Sequence, residues 1–149
     1  MPIEEDIRQA KFRNEFHKGA VNLIYTYGWI MERQKKIFDE EDITPQQFNI
    51  LRILRGALPR PLSTLQLRER MLDKMSDTSR IVDRMVTKQL VSKKTCTYDK
   101  RLVDIAITDK GMELLSRLDM RNEEMDKLLK ALSENEIKQL NTLLDKIRS

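Results

Sequence analysis

Along a chain whose apolar residues recur almost everywhere at helical spacing, one stretch alternates instead. In TCTYDKRLVDIAITDKG, Thr95 to Gly111, Val103, Ile105 and Ile107 fall on one side of an extended chain and Asp104, Ala106 and Thr108 on the other. The segment before it, VSKKTCT, is also strand-like, and YDKR between them supplies a short tip, so the pair is predicted to form one β-hairpin. An isolated two-stranded ribbon is barely stable in water, so the hairpin must lean on helices. Asp99, Lys100 and Arg101 then crowd onto its tip.

The flanking sequence specifies helices with clear start signals. Apolar residues from about Ile7 to Phe38 (Phe12, Phe16, Ala20, Leu23, Tyr27, Ile30 and Ile37) predict one long helix, with Gly19 and Gly28 marking tight packing or a bend. A lone helix of that length cannot bury its own stripe and calls for a second copy or the other end of the chain. Thr44 is a predicted N-cap with Pro45 at the first helical position and Gln47 closing a capping box, and Phe48, Leu51 and Leu54 point inward. Pro59 and Pro61 end that helix. Ser63 with Gln66 opens a short helix to about Leu72, and after DKMS, Ser76 is the predicted cap of SDTSRIVDRMVTKQL, with Ile81, Val82, Met85 and Val86 inward. These two helices and their turn are a helix-turn-helix. Thr108 is the predicted cap of a helix with a stripe through Leu115, Leu118, Met125, Leu128 and Leu132, and Ser133 with Glu136 opens a last one with Ile137, Leu140, Leu144 and Ile147 inward.

Charge separates the middle from the ends. Of the 149 residues, Ile50 to Lys110 hold 14 Lys and Arg against 7 Asp and Glu, giving +7; the flanks hold 14 against 17, giving −3. That is the footprint of a region that meets a polyanion. The single Cys excludes an internal disulfide framework and fits a reducing cytoplasm, the polar opening MPIEEDIRQA is not a signal peptide, and no run is apolar enough for a membrane span. No Gly-rich phosphate loop, Cys/His cluster or nucleophile with an evident base is present, so an enzyme is not expected. His17 stands alone, which argues against a metal site, and no cofactor is implied.

A helix-turn-helix followed by a hairpin with a cationic tip is a winged helix: the second helix enters a major groove and the tip reaches the adjacent minor groove or its phosphates. The order of elements, with SDTSRIVDRMVTKQLVSK before the hairpin, D-x-R at its tip and T-x-K-G seven residues later, resembles the MarR family of bacterial transcriptional regulators over almost the whole chain. The resemblance implies a mainly α fold with a small β-hairpin wing. Residues 44–109 would form the winged-helix DNA-binding region, and 1–40 with 110–149 a helical dimerisation region. It implies a homodimer that binds pseudo-palindromic operator DNA, acts as a repressor, and answers to a small-molecule effector. Where the family commonly has Gly before the Leu that ends the recognition helix, this chain has Gln89, which puts a left-handed residue at that cap in question. The Pro-rich LPRPLS is expected to shorten the family's small first strand.

Arg101 is the first candidate for a DNA contact, since a narrow minor groove attracts a guanidinium. The family pattern gives Asp99 the role of orienting it. Lys93, Lys94 and Lys100 are candidates for phosphates. On the second helix Arg80 lies opposite the apolar face with Arg84 near it, and Ser76, Thr78 and Ser79 stand in or before the first turn, which usually meets base edges. Pairing of Arg80 with Asp77 or Asp83 is the competing use. Ser63 and Thr64 can offer backbone N–H groups to a phosphate, or simply cap. Cys96 is an ordinary small strand residue on this reading. An effector crevice would draw on Tyr25, Trp29, Met31 and Phe38, residues that plain core packing equally explains. The alternative function is a helical module that binds an acidic protein, which accounts for the charge asymmetry but not for the wing.

Overall fold

The structure, a computed structural model, describes residues 1–95, 98 and 99, and 103–149. Helices dominate: α1 (Ile3–Asp6), α2 (Glu15–Glu40), α3 (Pro45–Ala57), α4 (Thr64–Arg70), α5 (Thr78–Thr87), α6 (Asp109–Asp119), α7 (Asn122–Asp126, continued by a 3-10 turn at Lys127–Leu129) and α8 (Glu134–Ile147). Between α5 and α6 stand β1 (Val91–Thr95) and β2 (Val103–Ile107), paired antiparallel with Val91 opposite Ile107 and Thr95 opposite Val103. The chain divides into two compact units, Met1–Pro45 and Gln46–Ser149.

In the first unit, the long helix expected from about Ile7 to Phe38 is present but starts late, as α2 at Glu15, with the short α1 ahead of the expected span. The chain leaves helix after Asp6, passes through Arg8 at φ 54, and restarts only where the Asn14 side chain accepts from the His17 N–H at 2.9 Å. Asn14 outcompetes helical continuity because a side-chain acceptor there satisfies an N–H that an interior turn would leave to the backbone. Lys18 on α2 meets Glu4 on α1 at 2.5 Å across the break. A methyl group at Gly19 or Gly28 would touch nothing within 4 Å, so the tight packing expected there is not supplied within this chain.

The second unit has a closed core. Ile50, Leu51 and Leu54 of α3, Leu67 of α4, Val82 and Met85 of α5, Ile105 of β2 and Leu114, Leu115 and Leu118 of α6 are all buried. The hairpin leans on this core as its marginal stability requires, burying Val91 and Ile105. Leu62 adds a single antiparallel bridge to Ile105, all that the proline-flanked segment contributes to the sheet. The helix expected to run on from Thr108 stops at Asp119 and turns at Met120 and Arg121 before α7. No described helix is long and apolar enough to cross a membrane.

A helix and wing as candidate nucleic-acid interface

Both helices of the helix-turn-helix start at side-chain caps. Ser63 accepts from the Gln66 N–H at 3.1 Å while the Gln66 side chain accepts from the Ser63 N–H at 2.9 Å, the full capping box. At α5 the cap is Asp77, whose carboxylate accepts from the Arg80 N–H at 3.2 Å; Ser76 lies outside the helix with its hydroxyl buried. A carboxylate suits that position better than a hydroxyl because it also faces the positive end of the helix dipole.

The buried face of α5 is turned relative to expectation. Thr78, expected at the DNA surface, is 1% exposed and part of the core, whereas Val86, expected inside, is exposed. Thr78 therefore cannot read a base from this position. The outward face carries Ser79, Arg80, Asp83, Arg84 and Thr87. Asp83 meets Lys93 of β1 at 2.9 Å, not Arg80, so one wing-strand lysine is tied to the helix beside it. Lys94 is exposed. Thr64 begins α4 and is half-buried like Ser63.

At the far end of α5 the helix closes in a Schellman motif. Gln89 adopts φ 63, the Leu90 N–H reaches the Met85 carbonyl at 3.0 Å, and the Gln89 N–H reaches Val86 at 2.9 Å. The left-handed residue is thus present without glycine, because the paired carbonyls and the burial of Leu90 and Met85 outweigh the strain.

The hairpin tip is described only at Tyr98, 98% exposed, and at half-buried Asp99. Lys100 and Arg101, and Cys96 in the strand before them, lie outside the described residues. The four effector candidates are not brought together. Phe38 is 1% exposed, and the 100° helical step puts Tyr25 and Trp29 on one face of α2 and Met31 and Phe38 on roughly the opposite one. Trp29 is instead covered by the Arg33 guanidinium, 3.8 Å from its ring centre. The second unit has an open groove of about 600 Å³ along α6, lined by Asp109, Met112, Glu113, Ser116 and Arg117.

Two contacts that local pattern did not announce hold α6 to this head. Arg55 of α3 donates to both oxygens of Asp119, at 2.6 and 3.2 Å, and this holds the Asp119 carboxyl below the usual carboxylate range despite some desolvation. Lys110 donates to the Lys88 carbonyl at 2.9 Å.

The MarR family model matches residues 43–103. The HTH-type transcriptional regulator MhqR of Bacillus subtilis is 25% identical over 131 residues, spanning 87% of this chain and 89% of its own. Over residues 43–103 the chain is similar to the MarR family. A MarR transcription factor from Planctomyces limnophilus is 27% identical, with a TM-score of 0.69 over 91% of this chain and 98% of that one. The fold also matches a mutant E. coli MarR complexed with operator DNA, with a TM-score of 0.80 and 22% identity over 93% and 99% of the two chains. The family match runs from just before α3 to the first residue of β2.

Proposed function

We infer that this chain is a sequence-specific DNA-binding transcription regulator, working as a homodimer and acting as a repressor in the cytoplasm rather than as an enzyme. The observation that carries this reading is the outward face of α5. Ser79, Arg80 and Arg84 stand exposed on one side of a helix whose other side is locked into the core, with Lys93 and Lys94 on the adjoining strand. A helix so presented suits a major groove, where arginine reads guanine edges, while lysines on the ribbon neutralise phosphates. Lys100 and Arg101 are proposed to extend the contact to the neighbouring minor groove with Asp99 orienting the arginine, and Ser63 and Thr64 to meet the phosphate backbone.

Residues 44–109 are proposed as the DNA-binding region, and 1–40 with 110–149 as the dimer-forming one. The support is apolar surface that one chain leaves open: Phe16, Leu23, Ile24 and Tyr27 on α2, and Leu143 and Ile147 on α8, are all exposed. A patch of that kind marks an interface. Two heads related by a two-fold axis would meet half-sites about 34–36 Å apart, or a near multiple, and a small molecule that changes their separation would change affinity.

A gel-shift titration with the DNA upstream of its own gene tests the reading. A complex that withstands competition by random duplex at moderate salt is expected. Equal binding to both would contradict it. Replacing Arg101 by Ala should weaken operator binding and flatten the salt dependence by about 0.9 in log–log slope for each phosphate the variant no longer neutralises.

A further inference from the structure

The T-x-K-G segment touches no surface assigned to DNA, yet each of its defining residues engages the end of α5. The Thr108 hydroxyl donates to the Gln89 carbonyl at 2.7 Å and accepts from the Gly111 N–H at 3.1 Å, so one group closes α5 and opens α6. The Thr108 N–H donates to the Leu90 carbonyl at 3.1 Å, and the Lys110 ammonium to Lys88 at 2.9 Å. Three successive carbonyls, Lys88 to Leu90, are thereby taken by one four-residue segment. Gly111 makes the approach possible: a methyl group there would fall inside contact distance of the Leu90 carbonyl oxygen and 2.8 Å from Ile107 Cγ1. At its other end α6 is fastened to α3 through Asp119 and Arg55.

We propose that Thr108 and Lys110 are positioning residues for operator recognition, locking the exit of α5 to the entry of α6 so that α6 sets the angle at which α5 enters a groove. The proposal rests on the DNA-binding reading above. A strut held at both ends turns with the head, and the helices that follow α6 turn the head through it. Hydrogen bonds to base edges depend on orientation, whereas lysine–phosphate attraction tolerates small rotations. A loosened joint therefore loses discrimination before it loses general affinity. Lys110 is the informative residue because it is exposed and takes no part in the capping of α6.

The test compares the full-length protein with Lys110→Met and Lys110→Arg. Fluorescence anisotropy on the upstream operator fragment and on a random duplex, each at several salt concentrations, is combined with amide hydrogen exchange at Leu90 and Thr108. For Lys110→Met, operator affinity should fall about fivefold to tenfold, a coupling of ordinary size. Random-duplex affinity should stay within about twofold with an unchanged salt slope. Both amides should exchange faster, and Lys110→Arg should restore all of these. A parallel loss on both duplexes with a slope shallower by about 0.9 would make Lys110 a phosphate-binding residue instead and overturn the proposal. Unchanged operator binding would overturn it too. Wild-type protein that does not distinguish the duplexes would sink the DNA-binding reading and take the positioning role with it, an outcome recognisable without any variant.

Discussion

The second unit's head and the long helix α2 are patterned alike, with apolar residues at helical spacing, and yet they end in opposite states. From Ile50 to Leu118 nearly every inward position is buried, whereas of the 26 residues of α2 only Ile37 and Phe38 are. Phe16 is 90% exposed, and the two glycines of α2 face open space. The head meets its hydrophobic demand within one chain, while α2 and α8, the latter with nothing buried, leave apolar side chains exposed, the surface proposed above for a second copy. On the proposed function, such a chain keeps its reading surface rigid and leaves its geometry to the assembly.

Substitutions can pull the two regions apart. The largest effect is expected at the head: Gly111→Ala drives a methyl group into the Leu90 carbonyl and should cost about 3 kcal/mol in urea denaturation. A loss under about 1 kcal/mol would mean that the joint is looser than described. Leu23→Asp on α2 should act on assembly instead, weakening the dimer by about 2 kcal/mol, roughly thirtyfold, in sedimentation equilibrium with little change in the head's own stability. If Leu23→Asp leaves the association constant unchanged, that stripe is not the interface.

Asp119 offers a smaller, pH-dependent probe of how α6 is held. Its carboxyl is lowered first by hydrogen bonds from Arg55, so the pair stabilises the folded state fully above the ordinary carboxylate range. The contribution is lost as pH falls through the depressed value. Asp119→Asn should therefore cost about 1 kcal/mol near neutrality, a modest figure because the carboxylate is 40% exposed and screened, and should erase that part of the acid limb. An acid limb identical in variant and wild type would contradict the assignment. The smallest effect runs the other way: Gln89→Gly removes a side chain from a left-handed backbone and should stabilise the head by about 1 kcal/mol in thermal unfolding. A destabilised variant would show that the Gln89 side chain makes a contact worth more than the strain.

What could be read from the sequence follows the range of the interaction. Capping boxes at Ser63–Gln66 and Ser133–Glu136, the cap at Thr108 and the presence of the hairpin are local, and the sequence alone announced them. Asp77 displaced Ser76 as cap because two neighbouring acceptors compete for the same N–H groups, a contest settled by backbone angles. Thr78 resembles a surface residue by type, and only the packing of α5 against the core buries it. Arg55 and Asp119 are 64 residues apart, and Lys110 and Lys88 are 22 apart, separations at which no periodicity speaks. Within the candidate site, the outward turn of Arg80 and Arg84 was legible, but the burial of Thr78 and the exposure of Val86 were not.

The most direct measurement is the mass of the protein–DNA complex, by sedimentation of the chain with a single operator-length duplex. Two chains per duplex, bound together without a one-chain intermediate, is the expected result. One chain per duplex at saturation, with the free protein also a single subunit, would contradict a reading head that depends on its own second copy.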